Sequence, residues 1–244
     1  MFGILCATVE EIAALRARLD VDAEPERHGP TRVWRGRFGV EPLVLAQAGI
    51  GKVNAAAAAT LLLSVFDATR LIFCGVAGGL DPELPVGAVL LADRMAIHDY
   101  GVMVGGRLTS TASGLVPLGA PELKALSPVP AAVRETLRRL AEVLAPQLEA
   151  PVRVGGIVTA DYFLNCAETR EALHAQFAAQ AIDMESGAVN QVAQAWDAPL
   201  YVIRTLSDLA GAESHLTYPQ MAQMAAHNSA LCVLDLLALL AADA

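Results

Sequence analysis

The sequence predicts an α/β layered domain in which a sheet is covered on both faces by helices. Short apolar runs alternate with longer helical patterns across all 244 residues, the pattern of α/β layers rather than of sandwiches or bundles. Several runs are apolar at nearly every position, as central strands buried on both faces require. No linker or repeat divides the chain, so residues 1–244 are expected to form one domain. A strand over 3–7 opens it, and Thr8 with Glu11 has capping-box spacing for a helix over 9–19. Strands over 32–38 and 42–47 lead through a glycine turn into an Ala-rich helix over 52–66. Strands over 70–75 and 88–95 come next. Residues 105–130, broken throughout by Gly, Ser, Thr and Pro, are expected to be a long loop at an active site or subunit boundary. A helix over 131–144 and a strand over 152–158 follow. Asn165 with Glu168 repeats the capping-box spacing before a helix over 167–178. A three-residue strand over 181–183, a helix over 185–195 and a strand over 200–205 lead to a last helix over 219–240, entered through Thr217, Tyr218 and Pro219.

Composition removes several classes of function. With 55% hydrophobic and 18% charged residues the chain is neither disordered nor fibrous, and at this length it buries enough surface to need no metal or disulfide. Seventeen basic against twenty-six acidic residues give a formal charge of -9, which disfavours nucleic acid and anionic membranes as partners. The mean hydropathy of +0.45 is high. The longest apolar stretches, 53–66 and one near the C-terminus containing Asp235, nonetheless read as too short for a membrane span of about 20 residues. The start, MFGILCATVEE, has no basic region and reads as a first strand rather than a signal peptide. Together with the scattered Cys6, Cys74, Cys166 and Cys232 this predicts a cytoplasmic protein with reduced thiols. The surplus apolar surface suits a subunit interface.

Local motifs leave the chemistry open. AGIGKVN at 48–54 follows a strand and opens a helix, where backbone N–H groups can receive a ligand. It matches neither a dinucleotide fingerprint, which would want Gly at Asn54, nor a P-loop, which would want Gly at Ala46 and Ser or Thr at Val53. The second glycine cluster, at 75–79, serves equally as a tight turn or a pocket wall. Glu11 is accounted for by the capping box without any function. Glu185, at a switch from strand to helix, can cap a helix or accept hydrogen bonds from ligand hydroxyls. Ser207 and Asp208 follow a buried strand, where open sheets keep their ligands, or Asp208 caps the next turn. No metal constellation is visible, and His98-Asp99 is expected to orient a loop rather than bind an ion. With no GxSxG elbow and no Cys/His pairing, carboxylates remain as acid, base and polar orienter.

Taken in order, AGIGKVNAA, CGVAGGL, DYFLN, DMESGAV and RTLSDLAG resemble the nucleoside phosphorylase-like proteins, most closely the bacterial 5'-methylthioadenosine/S-adenosylhomocysteine nucleosidase family, from Gly3 to about Leu231. The resemblance implies a three-layer α/β/α fold with a central mixed, twisted sheet. It also implies cofactor-free, metal-free hydrolysis of an N-glycosidic bond, with release of adenine. It assigns Asp208 as the acid on purine N7 and Glu11 as the residue that activates water. Ser207 would hold Asp208 or the base in register. Glu185 would clasp the ribose hydroxyls with Met184 against the sugar. Phe163 would stack on adenine, and Leu164 would present its backbone to the purine edge. Val76, Ala77 and Gly78 fall in the second glycine-rich loop, and Arg204 supports the site from behind. Ile50, Pro117 and Tyr218 match the apolar wall around the 5'-thio substituent, part of which comes from a neighbouring subunit, implying a homodimer. Val76 stands where the family commonly has Ser, Tyr162 replaces a small residue beside the adenine aromatic, and 105–130 differs in composition and length. Nucleosidases acting on 5'-deoxyadenosine, futalosine or adenosyl-hopanoid precursors, a nucleoside phosphorylase, and a non-catalytic nucleoside-binding protein remain open readings.

Overall fold

The computed structural model describes residues 1–211 and 213–243, with Leu216 described by its backbone alone. The elements are β1 (Phe2–Cys6), α1 (Val9–Arg16), β2 (Asp20–Val21), β3 (Glu26–His28), β4 (Thr31–Phe38), β5 (Glu41–Gln47), α2 (Lys52–Ser64), β6 (Arg70–Gly79), β7 (Val89–Ile97), β8 (Gly101–Val104), β9 (Arg107–Ser110) and β10 (Ser127–Pro128). After them come α3 (Ala131–Leu144), β11 (Val152–Thr159), α4 (Ala167–Phe177), β12 (Ala181–Asp183), α5 (Ser186–Ala195), β13 (Leu200–Asp208) and α6 (Ser214–Ala242).

Every predicted strand and helix has its counterpart, and one mixed sheet joins eleven of the strands. Strand β1 lies between β5 and β6, parallel to both, and β13 runs parallel to β6. The other edge of β13 pairs antiparallel with β7, which carries β11, then β12, and β12 returns antiparallel to β6. Strands β6, β13, β7, β11 and β12 therefore close a ring, a feature that apolar runs could not reveal because it depends on which strands pair. Two helical groups cover the sheet: α2 packs with α5, while α1 and α3 each pack against α6, which lies on β6 and β13.

Periodicity explains the helices. In α2, Ala55, Ala58, Ala59 and Leu62 are fully buried at i, i+3, i+4 and i+7, a stripe narrow enough for the helix to lie close to its neighbours. In α3, Val133, Leu137, Leu140 and Leu144 form the corresponding stripe. Each fully buried leucine contributes about 2 kcal/mol of transfer free energy. The capping box of α1 is present, with Thr8 and Glu11 each bonded to the other's backbone.

Four expectations are revised. The Asn165 cap is absent: Cys166 precedes α4, and Asn165 Oδ1 instead accepts the backbone N–H of His215 at 3.3 Å. Pro219 does not open the last helix but lies inside α6, which starts at Ser214 because its first turns precede the proline. Segment 105–130 is not loop throughout. It contains β9, whose hairpin with β8 turns through Gly105 and Gly106, both at positive φ as a two-residue hairpin requires. It also contains β10 and a bridge between Thr111 and Glu122. Finally, Thr217–Ala242 is long and apolar enough to cross a membrane by length and composition, but half of its most apolar window is buried in the protein, as a core helix requires.

Candidate active site

The carboxyl ends of β1, β6, β12 and β13 converge on a cavity of about 340 Å³. Its polar floor consists of Glu11, Asp183, Glu185, Ser207 and Asp208, and Val76, Ala77 and Gly78 form one wall. Ile50, Met184, Phe163, Leu164 and Tyr218 add to the apolar lining. Twelve of the sequence-predicted site residues thus share one cavity.

Asp208 is 2% exposed at the end of β13. Its Oδ1 accepts the N–H of Ala210 at 2.8 Å, so the turn-capping role is real, and its Oδ2 accepts from Ser207 Oγ at 3.0 Å. Burial raises the acid above the ordinary carboxylate range, against the hydrogen bonds from Ala210, Ser214 and Ser207 that pull it down. Gly78 approaches closely, since a methyl group there would stand 3.2 Å from Asp208 Oδ1.

Glu11 caps α1 and faces the cavity with the same carboxylate. Oε2 accepts the N–H groups of Ala7 at 2.8 Å and Thr8 at 3.0 Å, while Oε1 accepts that of Val76 at 3.0 Å. Beneath it lies Arg204, fully buried over the Phe73 ring at 3.9 Å and held on Asp183 Oδ2 through Nε at 3.0 Å and Nη2 at 2.9 Å. Arg204 Nη1 is a buried donor with no partner among the described residues. A methyl group at Gly75 would overlap Glu11 Oε1 and lie 2.6 Å from Nη1, so glycine is what lets these two groups share the space.

Glu185 precedes α5, and its Oε1 accepts the N–H of Gly51 at 2.9 Å, joining the first glycine turn to the site across 134 residues of sequence. Burial, then the neighbouring Asp183 charge, push its carboxyl up to about 7, with Arg204 opposing from 3.7 Å. Asp183 was not singled out in the sequence. It is the buried acceptor for Arg204, Thr159 Oγ1 (2.6 Å), the Ser186 backbone and the Ser186 hydroxyl, and so fixes both the arginine and the start of α5. Its position two residues before Glu185, on a fully buried three-residue strand, was the available signal.

Phe163 and Tyr218 meet edge to face, 5.7 Å between centroids, at the cavity mouth. Two predicted residues do not line the cavity. Arg204 lies behind it, as expected of a supporting group. Pro117 lines a separate hollow with Lys52, Asp99, Tyr100 and Gln191, where the Tyr100 hydroxyl, donating to the Leu115 carbonyl, holds this stretch. Ala7, Thr8 and Ile182 line the cavity without having been anticipated. His98 and Asp99 orient a loop, as expected: His98 Nε2 meets Tyr162 Oη at 2.7 Å and Asp99 Oδ2 accepts the Asp161 N–H at 2.8 Å.

A family model for the phosphorylase superfamily matches residues 1–238. The 5'-methylthioadenosine/S-adenosylhomocysteine nucleosidase of Mycobacterium bovis is 38% identical over 98% of both chains. Among solved structures, the nucleosidase of the same name from Neisseria meningitidis, in complex with methylthio-immucillin-A, is 30% identical with a TM-score of 0.83 over 97% of both chains. A futalosine hydrolase of Helicobacter pylori is 26% identical at the same TM-score, again over 97% of both. A match of this extent and identity shows that the chain belongs to the phosphorylase superfamily and, within it, to the 5'-methylthioadenosine/S-adenosylhomocysteine nucleosidase family.

Proposed function

We propose that this protein hydrolyses the N-glycosidic bond of 5'-methylthioadenosine and S-adenosylhomocysteine, releasing adenine and the 5-thio-substituted ribose. The observation that carries the reading is the convergence of Glu11, Glu185 and Asp208 on one apolar-walled cavity. As the C1'–N9 bond breaks, the ribose becomes oxocarbenium-like and adenine needs a proton. Asp208, whose proton affinity burial raises, gives it to N7, with Ser207 keeping the carboxyl in register. Glu11 takes the proton of the water that attacks C1', its carboxylate fixed by the backbone N–H groups of Ala7, Thr8 and Val76. Glu185, once ionised, accepts the ribose hydroxyls and gains strength as positive charge develops on the ring. Phe163 stacks on the base, Leu164 presents its backbone to it, and Met184 packs on the sugar. Among the described residues no Lys, Arg or His side chain lines the cavity. Carboxylates on its floor would repel phosphate, which supports hydrolysis over phosphorolysis.

The continuous sheet and the chain-long family match support reading residues 1–244 as one domain. The 5' wall supports a homodimer. Ile50 lines the cavity but is 54% exposed, and Val53 of α2 and Trp196 just after α5 are exposed around one further hollow. Pro117 lies outside the cavity of its own chain, as a residue contributed to a partner's would. Free cysteines, three of them buried, support a reducing, cytoplasmic setting. The likeness to a futalosine hydrolase favours one further reading, a nucleosidase for another 5'-substituted nucleoside, because such enzymes share the glycosidic chemistry.

Adenine release from methylthioadenosine, S-adenosylhomocysteine, 5'-deoxyadenosine, futalosine and adenosine, each with and without phosphate, tests the proposal. Release from the two thio-nucleosides without phosphate is expected, and absence of product from every substrate would remove the enzymatic reading.

Two further outcomes follow from the geometry. Gly75→Ala is expected to lower kcat/KM by about 100-fold, because the added methyl displaces the Glu11 carboxylate from its place beside Arg204; steady-state kinetics with a melting curve checks it. Glu185 sets a pH dependence. Its carboxyl is raised in the folded state, so its contribution to stability is complete below the unfolded value and is lost as pH rises through about 7. The melting temperature is therefore expected to fall from about pH 5 to about pH 8, and Glu185→Gln to flatten that slope. KM is expected to fall over the same range as the ribose acceptor ionises. A pH-independent melting temperature would contradict the assignment.

A further inference from the structure

Residues 161–163 are held by contacts that the proposed chemistry does not use. The backbone N–H of Lys52 donates to Asp161 Oδ1 at 2.9 Å, and Lys52 Nζ lies 2.5 Å from Asp99 Oδ1, which ties this segment to the start of α2. Between this knot and the cavity stands Tyr162, which lines the cavity itself. Its ring meets His98 edge to face at 5.6 Å, in addition to the 2.7 Å contact between hydroxyl and Nε2. His98 is fixed from behind: its N–H donates to Thr159 O at 3.0 Å, its carbonyl accepts the Ser110 hydroxyl, and its ring leans on Phe177. Burial keeps the imidazole below its ordinary range and pushes the phenol up to about 12. At neutral pH the pair is uncharged, so with the imidazole proton on Nδ1 the phenol donates to Nε2. Phe163, by contrast, is 47% exposed. Within the base-side wall, Tyr162 is the cavity-lining side chain whose own hydrogen bond fastens the segment to the end of β7.

We propose that the Tyr162–His98 hydrogen bond is a latch that positions the 161–164 segment for binding the purine, making Tyr162 a positioning residue for the base and not a participant in the chemistry. The inference rests on the nucleosidase reading above. Because the base lies against the same wall before and during bond cleavage, the latch contributes equally to ground-state and transition-state binding and is read in KM rather than in kcat. The two side chains act as one unit, so removing either should remove the whole effect.

Four variants test it: Tyr162→Phe, His98→Leu, their combination, and His98→Gln, whose amide oxygen restores an acceptor. Tyr162→Phe and His98→Leu are each expected to raise KM for methylthioadenosine and Kd for adenine by about 3–10-fold, the loss of one hydrogen bond, with kcat within about twofold of wild type. The combination is expected to be no worse than either single change, and His98→Gln to recover most of the affinity. Unchanged KM and Kd in Tyr162→Phe, multiplicative effects in the combination, or a fall in kcat at constant KM would each overturn the latch. Should His98→Leu fail to fold, Tyr162→Phe and His98→Gln decide between the outcomes. A wild-type protein that turns over nucleosides while its variants match it refutes the latch and leaves the nucleosidase reading intact. A wild-type protein that releases no adenine and binds none refutes both.

Discussion

Replacing Asp208 with Asn is expected to lower turnover of methylthioadenosine by about 10²–10⁴-fold while changing KM by less than about fivefold, the signature of a lost general acid. Asn fills the same volume: its amide oxygen can still accept the Ala210 N–H, and its NH₂ can donate to Ser207 Oγ, whose hydroxyl then turns to the Ala77 carbonyl, so the turn at the end of β13 should survive. What it cannot do is donate a proton to N7 and keep none. The native acid can, because a cavity with little exposed surface disfavours its ionised form. A nucleoside whose base leaves readily without protonation should be far less sensitive to the substitution. Measuring kcat on both kinds of substrate therefore separates loss of the acid from general damage. Equal losses on the two would remove Asp208 from that role.

Glu11→Gln is expected to reduce turnover by a similar factor of about 10²–10⁴ and, unlike the Asp208 change, to lower stability. Three backbone N–H groups, from Ala7, Thr8 and Val76, converge on its two oxygens. An amide offers one oxygen and one NH₂, so in either orientation a donor faces a donor. The cost is about 1–2 kcal/mol, or a fall of about 2–8 °C in melting temperature at this chain length. The two readouts distinguish two roles for one residue. A lower melting temperature with full turnover would leave Glu11 a helix cap only, and loss of both is the outcome predicted for a carboxylate that caps with one edge and meets water with the other.

What the sequence revealed and concealed follows from where each element gets its stability. Strand β12 and helix α3 were read at their observed bounds because burial pattern and boundaries are local there. Strands β6 and β13 were read short. Gly75–Gly79 and Leu206–Asp208 have turn-like composition, yet they pair with each other through Thr205 opposite Val76, Leu206 opposite Ala77 and Asp208 opposite Gly78. Cross-strand pairing supplies what local propensity lacks. This extension delivers Asp208 and the Val76–Gly78 wall to the same cavity, so the most functional part of the sheet was its least legible part. The hairpin turn at Gly105-Gly106 did carry a recognisable signal, obscured by the broken composition that follows. The proposed triad is legible only through the order of the motifs. Each of Glu11, Glu185 and Asp208 had an adequate local role as a cap. Two of those roles are occupied in the structure, since Glu11 completes its capping box and Asp208 closes its turn. Glu185, by contrast, makes no side-chain cap. The resemblance, and then the cavity, distinguish a cap from a cap that also faces a cavity. Asp183 and Arg204 show the converse: a buried ion pair that carries no local motif organises the groups around it.

The proposed reaction has water, steered by carboxylates, attack C1' as adenine leaves. Its most direct test is turnover of methylthioadenosine in ¹⁸O-labelled water, with phosphate present, followed by mass spectrometry of the sugar product. Free methylthioribose carrying one ¹⁸O atom at C1 is expected, with unlabelled adenine released in equal amount and at a rate independent of phosphate. Formation of methylthioribose 1-phosphate, with release that requires phosphate, would contradict it.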